Sequence, residues 1–83
     1  MPLKANDGQY YTLKELGAMA KRARDATGDT QYTAAEHIGV EQSVVSSAES
    51  GASRHKQALF ALIARYTPYV VNPEPHFQLV KKS

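Results

Sequence analysis

Apolar residues recur at helical intervals over most of the chain, and that rhythm changes only near the end. Leu13, Leu16, Ala20 and Ala23 repeat at spacings of three and four, which predicts a first helix with one buried face. Thr12-Leu13-Lys14-Glu15 has the pattern of a capping box at its start, and Gly28 is placed to end it in a left-handed conformation. Thr30 is a suitable N-cap for a second helix over Gln31 to Ile38, which Gly39 should break. A third helix is expected from Gln42 to Ser50, stopped by Gly51. Ser53 is the expected cap of a fourth, whose stripe is Leu59, Leu62, Ile63 and Tyr66, and Pro68 restricts Thr67 and should end it. Beyond it, Tyr69-Val70-Val71 and Phe77-Gln78-Leu79-Val80 have strand propensity and flank the sequence NPEP. That loop is too rich in proline for a tight primed hairpin turn, so the tail is read as extended or as one short strand. Residues 1–9 read as a loose lead-in with a turn at Asn6-Asp7-Gly8. The expected organisation is a lead-in over 1–11, a helical domain over 12–68 and a tail over 69–83.

The segment TQYTAAEHIGVEQSVVSSAESG, Thr30 to Gly51, has a spacing with physical causes. Two helices that cross steeply over a short turn need a small side chain where they meet, and Ala35 supplies it. The chain must reverse within about three residues, and Gly39 can take the positive φ required. Ala34 supplies an apolar fourth position, counted from Gln31, and Ile38, Val40, Val45 and Ala48 fall where they would face inward and fix the crossing angle. Such a unit presents its second helix as a ridge that fits a major groove about 12 Å wide.

Together with LGAMAKRARDATG before it, this segment resembles the helix-turn-helix domains of phage repressors, Cro proteins and xenobiotic-response-element-type bacterial regulators, over roughly Leu16 to Tyr66. The resemblance implies an all-α, compact, four- to five-helix lambda-repressor-like domain, with an extended or short-strand C-terminal tail. It implies a sequence-specific double-stranded DNA-binding transcriptional regulator, most simply a repressor that binds a pseudo-palindromic operator. It also implies an ion pair between Arg24 of the first helix and Glu49 near the end of the third.

Charge complicates that expectation. The segment contains no lysine or arginine and carries Glu36, Glu41 and Glu49, within a chain of net charge +2. Affinity for DNA comes largely from phosphate contacts and specificity from base edges, so the two tasks can fall to different residues. Gln42 is the first candidate for a base contact, because an amide can pair bidentately with adenine. Ser43, Ser46 and Ser47 share its outward side, and Glu41 either accepts from a cytosine amino group or caps the helix. Phosphate contacts are expected from Arg54, His55 and Lys56 after the third helix, from Lys21 and Arg22 on the first, and from Gln31 and Tyr32 at the positive end of the second. That set predicts about three to five neutralised phosphates per protomer.

One helix reads few base pairs, so a homodimer with half-sites about 34 Å apart is expected. Phe60, off the apolar stripe, is the candidate subunit contact with Tyr69, Val70, Phe77 and Leu79 of the tail. The alternative is an antitoxin-type module that binds its own operator and engages a protein partner through the tail.

The chain has 83 residues and no cysteine, which bounds it to one small domain without disulfides and makes a reducing, cytoplasmic setting the simplest. No apolar run suits a signal peptide or a bilayer span, so no membrane association is expected. His37, His55 and His76 are too scattered for a metal site, no serine has a nucleophile's partners, and TGDTQ lacks the lysine of a phosphate loop. Neither enzymatic activity nor a cofactor is expected.

Overall fold

The structure, a computed structural model, describes residues 10–72 and 77–82. Four α-helices are followed by a small antiparallel sheet: α1 (Leu13–Thr27), α2 (Gln31–Ile38), α3 (Gln42–Glu49), a 3₁₀ turn (Ser53–His55), α4 (Lys56–Tyr66), β1 (Tyr69–Asn72) and β2 (Gln78–Lys81). The molecule is thus mainly helical with a two-stranded sheet, which corrects the all-α expectation.

Local chemistry sets the helix ends. Thr12 Oγ1 accepts from the Glu15 N–H at 3.1 Å, and Glu15 Oε1 accepts from the Thr12 N–H at 2.8 Å, so two otherwise orphaned donors are satisfied reciprocally. Gly28 at φ 83° closes α1, with its N–H donating to the Asp25 carbonyl. Thr30 caps α2 through Thr33 N–H, and Gly39 at φ 74° reverses the chain toward α3. Ser53 does not cap α4. It opens the 3₁₀ turn, in which His55 N–H donates to the Ala52 carbonyl at 3.1 Å, and α4 begins at Lys56 without a side-chain cap. Thr67, held extended before Pro68, ends α4 and donates its hydroxyl to the Ile63 carbonyl at 2.6 Å.

The tail forms a hairpin and not a single strand. Tyr69 pairs with Lys81, Val70 with Val80, Val71 with Leu79, and Asn72 with Gln78. Residues 73–77 connect the strands, a length that needs no primed two-residue turn, so the prolines do not forbid pairing. Burial alternates along β1, and Leu79 on the inner face is fully buried. Tyr10 bridges Gln78, and Tyr11 N–H donates to the Phe77 carbonyl at 2.8 Å, so the end of the lead-in lies along the sheet. The turn expected at Asn6-Asp7-Gly8 lies outside the described residues.

One core joins the four helices, the hairpin and the end of the lead-in. Leu16, Val45, Leu59, Leu62, Ile63 and Leu79 are its largest fully buried side chains, with Tyr11, Met19 and the small residues Ala20, Ala34, Ala35 and Ala48 around them. Lead-in and tail therefore contribute to the same core as residues 12–68. No helix among the described residues is long and apolar enough to cross a membrane.

Candidate functional site

The α2–α3 unit is locked from below. Ala34 and Ala35 of α2 and Val45 and Ala48 of α3 are all buried in the one core cluster, and Ile38, Val40 and Val44 pack half-buried against that cluster. The two alanines of α2 are small, which leaves room for α2 and α3 to approach each other. On α3, positions 42, 46, 43 and 47 occupy one continuous arc at 100° per residue, and positions 44, 45, 48 and 49 the other. Exposure follows that division: Gln42, Ser43 and Ser46 are exposed and Ser47 is half-buried. The arc carries two kinds of short hydrogen-bonding group, amide and hydroxyl, and no charge. β1 lies against α4, so the hairpin packs on another side of the core.

Glu41 stands at the N-cap position of α3 with extended backbone, yet its side chain makes no capping bond. The capping alternative for that side chain is thereby removed, and its exposed carboxylate lies beside Gln42. Glu49 is turned inward. Its Oε2 accepts from Arg24 Nε at 2.6 Å and its Oε1 from Arg24 Nη2 at 3.1 Å, with side-chain exposures of 6% and 3% for the two residues. Arg24 and Glu49 thus form the expected ion pair, in the bidentate geometry that suits a guanidinium. The hydrogen bond to Glu49 holds the Arg24 guanidinium above its ordinary range, against the opposing effect of burial. One of the three glutamates of the segment is neutralised by this contact.

The pair belongs to a wider network. Arg24 Nη1 donates to the Asp29 carbonyl at 2.8 Å and lies 3.2 Å from Asp25 Oδ1. Gln31 Nε2 donates to Glu49 Oε1 at 2.9 Å. The side-chain amide of Gln31 is therefore engaged within the protein, and what remains of its expected phosphate role is the backbone N–H in the first turn of α2. Asp29 Oδ2 accepts from the Tyr66 hydroxyl at 2.8 Å and lies 3.7 Å from His37 Nε2. Burial, followed by the hydrogen bond to Asp29, pushes the Tyr66 hydroxyl up to about 12.

The expected cationic flanks divide. Arg54 and Lys56 are exposed and His55 half-buried, all at the 3₁₀ turn that follows α3. Tyr32 projects from α2 with 61% exposure. Lys21 is exposed on the α1 stripe that also carries Gly17 and Arg24, the two residues that meet the end of α3. Arg22 lies elsewhere. It borders a groove of about 280 Å³ with Met19, Ala23, Tyr66 and Pro68, between α1 and the α4–β1 junction. The structure thus separates Arg22 from the α3 side of the molecule, because neighbouring helix positions differ by 100°.

Two features escaped sequence reasoning. A Cβ built on Gly17 would lie 2.4 Å from the Glu49 carbonyl oxygen and 2.9 Å from that of Ala48, so only glycine lets α1 approach α3 this closely. An isolated glycine inside a helical pattern was the available signal. The Asp29–Tyr66 bond had none, since its partners are 37 positions apart and Tyr66 reads as part of an apolar stripe. Of the tail residues expected at a subunit contact, Leu79 is corrected: it is fully buried in this chain's own core. Phe60 and Phe77 pack against each other with ring centroids 6.0 Å apart, and Val70 remains exposed. Among the described residues no group of three metal-ligating side chains gathers. No family model matches the chain, and comparison with curated proteins and with solved structures gives no match.

Proposed function

We propose that this is a sequence-specific double-stranded DNA-binding regulator of the helix-turn-helix, phage repressor and Cro type, with α3 as the recognition helix in the major groove. The observation that carries the reading is the α3 arc of Gln42, Ser43, Ser46 and Ser47, uncovered and uncharged, on a helix whose opposite side is fixed in the core. An uncharged ridge can enter the groove without strong repulsion, and Gln42 can pair with adenine there. The inward pairing of Glu49 supports the same reading, since it removes a carboxylate from the approach. Arg54, Lys56 and Lys21 hold the protein against phosphate, and base contacts at the arc supply preference. The simplest action is repression by occupancy, in the cytoplasm, without enzymatic activity, cofactor or metal.

A homodimer fits the limited reach of one α3. The exposed pair Val70 and Val80, directly opposed on the outer face of the hairpin, favours a protein contact there, with a second copy or, in the antitoxin-type alternative, with another protein.

Selection of bound duplexes from a random pool tests the proposal. One enriched, pseudo-palindromic sequence is expected, and Gln42→Ala should erase preference at one base pair per half-site while general binding survives. Absence of enrichment, or an unchanged preference in Gln42→Ala, would refute the assignment of α3.

A further inference from the structure

We propose that Lys14 is a phosphate-contact residue of this surface, acting with Lys21 on one stripe of α1, and that Arg22 is not; the inference rests on the DNA-reading function proposed above.

Lys14 lies far from the third helix in sequence, and the fold brings the two together. Gly51, the turn that follows α3, sits at φ 85°, and a Cβ built on it would meet Lys14 Cα at 2.8 Å and Lys14 N at 2.9 Å. The backbone of Lys14 therefore abuts the chain three residues before Arg54. Lys14 and Lys21 are seven positions apart, which places them within about 20° of each other on a helix. Gly17 lies between them on the same side of α1, against the carbonyls of Ala48 and Glu49. The stripe thus flanks the C-terminal end of α3 from α1, as Arg54 and Lys56 flank it from the following turn.

Both lysines are exposed, and among the described residues neither side chain forms an ion pair or hydrogen bond. The neighbouring carboxylates are otherwise engaged: Glu15 accepts from Thr12 N–H, Asp25, four positions after Lys21, lies 3.2 Å from Arg24 Nη1, and Glu49 accepts from Arg24 and Gln31. The two ammonium groups are left for an external anion. Arg22, about 100° from Lys21, faces the groove beside Tyr66 and Pro68.

A cation near the last carbonyls of α3 would also favour that helix end electrostatically, so the test must separate DNA contact from helix stabilisation. Binding of the full chain to its selected duplex and to a scrambled duplex is measured across a salt series for Lys14→Gln, Lys21→Gln and Arg22→Gln. Each phosphate lost should reduce the magnitude of the slope of log K against log salt by about 0.9. Lys14→Gln and Lys21→Gln are expected to show that reduction, to weaken both duplexes by the same factor and to leave the melting temperature unchanged, while Lys14→Arg restores the slope. Arg22→Gln is expected to keep the wild-type slope. A wild-type slope in Lys14→Gln, or a loss in Arg22→Gln equal to it, overturns the inference while the DNA-reading proposal stands. Failure of the wild-type chain to bind any selected duplex defeats that proposal itself, and the role of Lys14 with it.

Discussion

Arg24 serves three elements with one planar group: it belongs to α1, grips Glu49 at the end of α3 and holds the Asp29 carbonyl before α2. Removing one partner of a buried ion pair leaves an uncompensated charge, so Arg24→Ala should lose about 3–5 kcal/mol. Arg22→Ala, on an exposed groove rim, should melt like the wild type. Thermal unfolding of the two variants decides this, and equal losses would contradict the network. Tyr66 gives a second prediction, visible at high pH. Its hydroxyl is raised from an ordinary value of 10.0 to about 12, so the folded state keeps a proton that the unfolded state has released. The resulting stabilisation is complete below about pH 10 and is lost as pH rises toward 12. Wild-type stability should therefore fall more steeply across that window than that of Tyr66→Phe. Parallel declines would show that burial and the bond to Asp29 do not together raise the hydroxyl.

Among the elements, α3 is short and weakly anchored by its own sequence. It has eight residues, and its N-cap residue forms no side-chain capping bond. Isolated helices of that length are marginal in water, so tertiary packing must hold it. Part of that packing is the approach of α1 at Gly17. Gly17→Ala should drive a methyl group into the Glu49 carbonyl and destabilise the fold by about 3 kcal/mol. Gly28→Ala makes a useful contrast: its Cβ would meet open space, and only the left-handed conformation opposes it, at about 1–2 kcal/mol. Chemical denaturation of the two variants should rank Gly17→Ala as the more damaging; the reverse order would mean that α1 and α3 are less closely packed. The starts of α1 and α2, the stops at Gly28 and Pro68 and the turn at Gly39 were legible in the sequence because each is a local matter of capping and φ, whereas the start of α4 was not, since a 3₁₀ turn intervenes at Ser53–His55. The hairpin was less so: its strand propensity was visible, but pairing joins residues as far apart as Tyr69 and Lys81 across a connection that propensity does not describe.

At the scale of the whole molecule, the hairpin completes the core. Leu79 is fully buried with Leu16, Leu59, Leu62 and Ile63, and the Lys82 side-chain amine donates to the Ala64 carbonyl near the end of α4. Leu79→Ala should cost about 2–5 kcal/mol, and truncation after Asn72 should unfold the monomer and not merely remove an appendage. A truncated chain that kept the wild-type melting temperature would show the tail to be separable. Partner contact is consequently better probed on the outer face, where Val70→Lys and Val80→Lys leave Leu79 in place.

The sequence by itself determined the four helices, the caps of α1 and α2 and the α2–α3 turn, because these rest on hydrophobic period and on the conformations open to threonine and glycine. It also indicated Gln42, Ser43, Ser46 and Ser47 as one outward arc, since helical geometry alone separates them from Val45 and Ala48. Only the tertiary structure brought the Lys14 backbone against the turn that follows α3 and set Arg22 on the groove beside Tyr66 and Pro68. It alone placed Leu79 inside, joined Tyr66 to Asp29 and made Gly17 indispensable. The reason is physical. Local torsions and periodicity are properties of neighbours in the chain, whereas burial and charge pairing depend on which distant segments the closed core brings into contact.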